Sequence, residues 1–151
     1  MNTPPSTSES SAVEPQSRIT DWTNRSFGAQ LSTPDLCAMA KELHAGVDLP
    51  SRVDWEAMQK AGVTIGSVTA DMGKDLAGQQ IPPFAVGFND PKHAALVRQK
   101  TIETLEAASK AGIKHMIVFT GMDTGEDRQV QFDRIVQGFT RSREKEKVLW
   151  R

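Results

Sequence analysis

Apolar positions along this chain come in two rhythms, short continuous runs and longer stretches at helical spacing. The clearest run is Met116–Phe119, inside the segment AGIKHMIVFTG that ends at Gly121. Four consecutive apolar residues of this kind predict a parallel strand covered on both faces. Ala111-Gly112 before it reads as a helix end, since glycine takes the left-handed cap conformation with no Cβ to clash. Thr120 and Gly121 then fall just past the strand's carboxyl end, the side on which α/β proteins bind ligands.

The same grammar repeats along the chain. Ile19 to Thr23 predicts a weak first strand. Thr33 is expected to cap a helix, with Pro34 at the first helical position, where a missing N–H costs nothing. Leu36, Ala40 and Leu43 form the stripe of that helix. Val47-Asp48-Leu49 predicts a second strand stopped by Pro50, Val53 to Ala61 a second helix closed by Gly62, and Val63 to Val68 a third strand. Asp90-Pro91 opens a third helix with Ala94, Val97, Thr101, Leu105 and Ala108 on one face and Ile102 at its edge. The strand Ile113 to Phe119 follows. A fourth helix is expected from near Gly125, with Phe132, Ile135, Val136 and Phe139 facing inward.

The order βαβαβαβα implies an α/β fold with parallel strands and right-handed crossovers. Each unit takes roughly 33 residues, so eight would need roughly 270, a usual size for a (βα)8 barrel. The expected fold is therefore a partial TIM barrel of about four βα units. A four-unit doubly wound sheet is the competing architecture.

The ends change this picture. Met1–Ser17 is rich in Ser, Thr and Pro with no aromatic residue, so it cannot offset its ordering entropy by burial. It reads as a disordered tail (1–17), with the barrel-like unit spanning 18–151. It lacks the apolar stretch of a signal peptide, and Glu9 and Glu14 argue against a mitochondrial leader. Beyond Phe139 the core-facing positions of the fourth helix become Ser142, Arg143 and Glu146, which an inward face should not do. The expectation is the amino-terminal half of a larger domain, ended by truncation or a change of reading frame. A natural terminal helix that frays is the other reading.

Composition narrows the function. Lys+Arg 18 against Asp+Glu 19 leaves no basic field for nucleic acid or an anionic membrane. The single cysteine, Cys37, allows neither an internal disulfide nor a cysteine metal cluster and is expected to be a packed core thiol. No apolar run approaches the ~20 residues of a membrane span. A reducing cytoplasm is the expected compartment.

The segment GFNDPKHAALVRQKTIETLEAASKAGIKHMIVFTG resembles the third and fourth units of the hydroxypyruvate isomerase family. These belong to the xylose isomerase-like barrels, which also include sugar-phosphate epimerases and a class of abasic-site endonucleases. The shared features are the Gly-aromatic-Asn turn with a nearby histidine (Gly87, Phe88, Asn89, His93), the alanine-rich helix ending Ala-Gly, and the strand closing in Phe119, Thr120 and Gly121. Gly125 also fits. The stretches Thr33 to Leu49 and Asp54 to Val63 resemble the first two units more loosely, so the likeness covers about Arg18 to Phe139. One departure is the glycine cap before the second strand, shortened here to His44-Ala45-Gly46.

The resemblance implies an intramolecular aldose–ketose type isomerisation, hydroxypyruvate to tartronate semialdehyde. It also implies a divalent metal, Mg or Mn, in the complete family fold. The family's metal-binding and proton-transferring carboxylates come from later strands, so no catalytic residue and no metal ligand carries over, and the chain alone is expected to bind no metal and to be inactive. The implied partner is a small hydroxy-carbonyl substrate, without nucleic acid or membrane. Alternatives are a non-catalytic half-barrel remnant or self-associating module, whose open edges pair to close a ring, and an abasic-site nuclease relative, which the near-neutral charge disfavours.

Candidate substrate-binding residues are Asn89, Thr120 and Gly121. The Asn89 amide both donates and accepts, although helix entry beside Asp90 is its simpler role. Thr120 offers a hydroxyl, and Gly121 an unshielded backbone amide or plain turn geometry. Asp123, Glu126 and Asp127 could bind a cation, but acids in a first helical turn more simply complement the helix dipole. Gly121 to Gly125 lacks the P-loop lysine expected of a phosphate cradle. The loop from Thr69 to Asn89 is long enough to be a lid or binding loop, with Asp71, Lys74 and Asp75 along it. His44, His93 and His115 read as structural or surface residues, and Trp55 as a helix-packing residue.

Overall fold

The computed structural model describes residues 17–20 and 31–149, with side chains over 31–143. The predicted tail thus lies outside the described residues, except that Ser17 already belongs to the first strand. The elements are β1 (Ser17–Thr20), α1 (Thr33–Glu42), β2 (Ala45–Asp48), α2 (Trp55–Lys60), β3 (Ile65–Thr69), α3 (Ala94–Lys110), β4 (Met116–Ile117) and α4 (Arg128–Leu149). Single 3-10 turns, Arg52–Asp54 and Pro83–Ala85, precede α2 and α3.

All strand pairs are parallel, and the sheet order is β1-β2-β3-β4. A doubly wound sheet reverses direction at a switch point and so mixes its strand order. The sequential order here removes that alternative. With uniform crossover handedness it also puts the connecting helices on one face. The packing agrees, since Leu36, Cys37 and Ala40 of α1, Trp55 and Met58 of α2 and Ala108 of α3 share one buried cluster with Val47, Ile65, Val68 and Ile113. A second cluster, Ala70, Met72, Val86, Phe88 and Val97 with Ile135 and Phe139, joins α3 and α4 to the β3–α3 loop.

The β2–β3 register shifts by one residue, with Val47 opposite Ile65 but Asp48 opposite Ser67. The extra residue, Gly66, is a bulge that lets both Ile65 and Val68 face the helices. Asp48, Ser67 and Thr69 alternate to the opposite face, where the Ser67 hydroxyl donates to Asp48 at 2.9 Å.

Several boundaries differ from the sequence reading. Ser32, not Thr33, caps α1, because its extended backbone lets Oγ accept from the Asp35 amide. Thr33 instead donates to Asp54 at 3.1 Å. The second helix is shorter than expected, and α3 starts at Ala94 after a turn over Asp90–His93. The fourth strand is reduced to Met116–Ile117, and Ile117 and Val118 are exposed rather than covered on both faces. The reason is position: β4 is the last strand of the sheet, with no neighbour on its outer edge among the described residues. Likewise Phe132 and Val136 of the expected inward stripe on α4 are exposed, while Ile135 and Phe139 pack inward. Ser142 is buried rather than misplaced, its hydroxyl donating to the Gly138 carbonyl at 3.0 Å. Glu146 lies outside the residues with described side chains.

Gly62 and Gly112 are left-handed helix ends as expected, and His44 holds the same conformation at φ 49° after α1. An L-residue there costs roughly 1–2 kcal/mol. His44→Gly is therefore expected to raise stability by roughly 1 kcal/mol in urea unfolding. Met58→Ala, in the centre of the larger cluster, should lower it by about 2–5 kcal/mol.

Candidate functional site

Two places at the strand-carboxyl side bear on function. The first is the junction of the β3–α3 and β4–α4 loops. Gly87 lies directly against the Thr120–Gly121 peptide, and a Cβ on Gly87 would overlap the Thr120 carbonyl. Gly121, at φ 95°, faces back onto Gly87 and the Asn89 side chain. Both glycines are required because backbone meets backbone with no room for a side chain. The Phe88 ring enters the second apolar cluster, edge-on to Phe139 with centroids 5.2 Å apart, and lies over Gly138.

Asn89 is 3% exposed. Its amide nitrogen donates to the Met122 carbonyl at 2.5 Å and to Gln131 Oε1 at 3.2 Å. Its Oδ1 is buried, without a hydrogen-bond partner, and directed at Gly121. The side chain thus reaches across to the other loop, and helix entry falls to Asp90, which accepts from the Lys92 amide at 2.9 Å. Gln131 completes the junction, donating to Asp123 at 2.8 Å and to the Glu126 carbonyl at 2.9 Å. Arg134 ties the Asn89 carbonyl, at 3.2 Å, to the Glu126 carboxylate, at 2.6 Å.

Of the three candidate substrate contacts, Asn89 and Gly121 are therefore packed together as loop structure, while Thr120 is exposed. The acids beside them are in use. Asp123 accepts from Gln131 and the Gly125 amide, Glu126 pairs with Arg134, and Asp127 caps α4 through the Gln129 and Val130 amides. Among the described residues no three His, Cys, Asp or Glu converge as a metal-ligand set. Each carboxylate of this loop has an internal hydrogen-bond or ion-pair partner.

The second place is a cleft of about 760 Å³ between the ends of β2 and β3, the β3–α3 loop and α3. Its walls include Arg52, Trp55, Thr69, Asp71, Phe84 and Lys100, and none of Asn89, Thr120 and Gly121 lines it. The Trp55 indole donates to the Pro50 carbonyl at 3.3 Å, which fixes the floor. Lys100 pairs with Glu103 at 3.1 Å, whereas Arg52 is exposed on the rim. The loop above the cleft is folded rather than loose. Asp71 accepts from the Gly73 amide and Gln80, Asp75 from the Ala77 and Gln79 amides, and Lys74 bridges antiparallel to Gln80. Arg52, Lys100, Gln131 and Arg134 were not singled out by the sequence. Each is a polar residue on or beside a helix, and only the approach of distant loops gives it a role.

The remaining candidates are structural. The His115 ring lies 3.2 Å from the Gly66 carbonyl, and His93 lies 3.2 Å from Asp90. Cys37 is a buried free thiol, and burial pushes its pKa up, with the Asp54 charge adding to the rise. Comparison of this chain with protein-family models, with curated proteins and with solved structures gives no match. Among the described residues no helix is long and apolar enough to cross a membrane.

Gly121→Ala combines a left-handed φ with a clash on Asn89 and should cost on the order of 3 kcal/mol. Gly125→Ala, equally left-handed at φ 79° but facing open space, should cost only about 1–2 kcal/mol; urea unfolding of the pair separates the clash from the φ strain. The loop should also respond to acid. The Gln131 amide, and then the Gly125 N–H, hold Asp123 below its ordinary range, and Arg134 does the same for Glu126. Such groups contribute fully above their unfolded pKa, near 4, and lose the contribution as pH falls through the depressed folded value. Amide-exchange protection over residues 120–127 is expected to be level above about pH 4 and to fall below it.

Proposed function

We propose that this chain forms part of a hydroxypyruvate isomerase-like barrel and receives a small hydroxy-carbonyl acid at its strand-carboxyl face. The observation that carries the reading is the strand order. Four parallel strands taken in sequence, with their helices in one layer, are the arrangement from which an eight-stranded ring is built. The Gly87–Asn89 turn locked onto Thr120–Gly121 supports the same reading, since these are the residues of the resemblance and they meet in space.

The cleft suits the substrate class. A keto acid brings one carboxylate, and Arg52 on the rim offers a planar guanidinium that can bind it in a bidentate manner. Lys100 is neutralised by Glu103 in the same wall, which leaves Arg52 as the cation for the carboxylate, and Phe84 supplies an apolar wall against which the carbon chain can rest. Thr120, exposed past the end of β4, lies outside this cleft. Isomerisation moves a proton between adjacent carbons and needs a base beside them. The acids of the β4–α4 loop are engaged elsewhere, and in the cleft Asp71 accepts from the Gly73 amide and Gln80 while Glu103 pairs with Lys100, so the described residues are assigned to binding and orientation. The proposed compartment is a reducing cytoplasm.

Titration of labelled protein with hydroxypyruvate tests the reading. Shifts are expected at residues 49–52, 69–73 and 82–84, with at least tenfold weaker binding for Arg52→Glu. An unchanged spectrum at millimolar ligand overturns the cleft. In a coupled assay with Mg²⁺ or Mn²⁺ the chain alone should not turn over, and turnover would show that the missing base is present after all.

A further inference from the structure

The outer side of β4 and α4 is apolar and uncovered. Phe132 is 57% exposed, Val136 47% and Val118 44%. Val136 and Val118, with Leu105, Ile113, Met116 and Phe139, line a groove of about 670 Å³. Phe132 and Val136 are one helical turn apart on the same face of α4. At the other end of the sheet β1 has no strand on its outer side among the described residues, and Leu43, just after α1, is 57% exposed.

The two ends also differ in charge. Over residues 128–143 helix α4 carries Arg128, Arg134, Arg141 and Arg143 against the single acid Asp133; Arg143 borders the groove, whereas Arg134, paired with Glu126, and Arg141 lie on the side toward α3. Helix α1 carries Asp35 and Glu42 against Lys41. A basic helix beside one open edge and an acidic helix beside the other are complementary.

We propose that a second copy of this chain covers the groove, related by a two-fold axis through the centre of the ring. Each β4 then pairs in parallel with β1 of the other copy, and α4 of each lies against the other's α1. In a parallel barrel the helix after the fourth strand neighbours the helix after the fifth, which is α1 of the second copy. The symmetry is closed, so association stops at two chains rather than running on as a fibre. Eight strands complete the ring and remove both open edges. The inference rests on the half-ring reading of the sheet and not on the isomerase chemistry, so the ligand titration above and the measurement below can fail separately.

Sedimentation velocity of the full chain should show a discrete dimer from micromolar concentration upward. Val136→Glu, at an exposed site, should weaken association at least tenfold while leaving the far-ultraviolet circular dichroism unchanged, and should lower the melting temperature only to the extent that association stabilises the fold. Leu43→Cys combined with Val136→Cys should give covalent dimers with a bis-maleimide, whereas Val136→Cys alone should give none. Cys37 is buried and serves as an unreactive background. A monomer at all concentrations, open-ended aggregation, a Val136→Glu dimer of unaltered strength, cross-linking of Val136→Cys to itself, or a cross-link confined to one chain would each overturn the proposal.

Discussion

The approach of Gly87 to the Thr120–Gly121 peptide is the constraint around which the strand-carboxyl side is arranged. Two loops separated by more than thirty residues are brought to backbone contact there. Such contact would leave polar groups stranded unless they were paired, and Asn89, Gln131 and Arg134 pair most of them. The Phe88 ring anchors one side by inserting against Phe139 of α4. The order of the β4–α4 loop, the start of α4 and the floor beneath Thr120 all follow from this one junction. The acids nearby are drawn into it and hold the loop.

Much of the architecture could be read from periodicity. The glycine helix ends at Gly62 and Gly112, the alternation of strands and helices and the buried Cys37 are local features, set by residues a few positions apart. The stripe Val97, Thr101 and Ala108 was legible for the same reason, since one helical face repeats on a fixed spacing. Where the reading failed, a partner was at issue. Met116–Phe119 looks like a doubly covered strand because a continuous apolar run is the same whether or not a neighbour arrives. The outward turn of Phe132 and Val136 has the same cause: periodicity gives the width of an apolar face but not how many elements press on it.

The site was legible in kind but not in detail. Glycine and asparagine at a strand-to-helix connection signalled something special, and Gly87, Asn89 and Gly121 do meet. Whether they meet each other or a ligand depends on a contact between loops that no local pattern encodes. Arg52 and Lys100 show the same limit from the other side, since nothing in their neighbours marks either as facing a cleft. The Ser32 cap was missed by one position, because Ser-Thr-Pro offers two hydroxyls in succession and only the backbone conformation chooses between them.

The bulge at Gly66 carries one more implication. By turning Ile65 and Val68 both toward the helices, it leaves Asp48, Ser67 and Thr69 on the opposite, helix-free surface. Those side chains are short and oxygen-bearing, so they cannot seal that surface against another apolar layer. Along β2 and β3 this surface would be wetted by ordered water rather than packed against aliphatic groups, and only Ile117 of β4 adds an apolar side chain to it. A surface of this kind interacts more favourably with groups that bring hydroxyls than with oily ones.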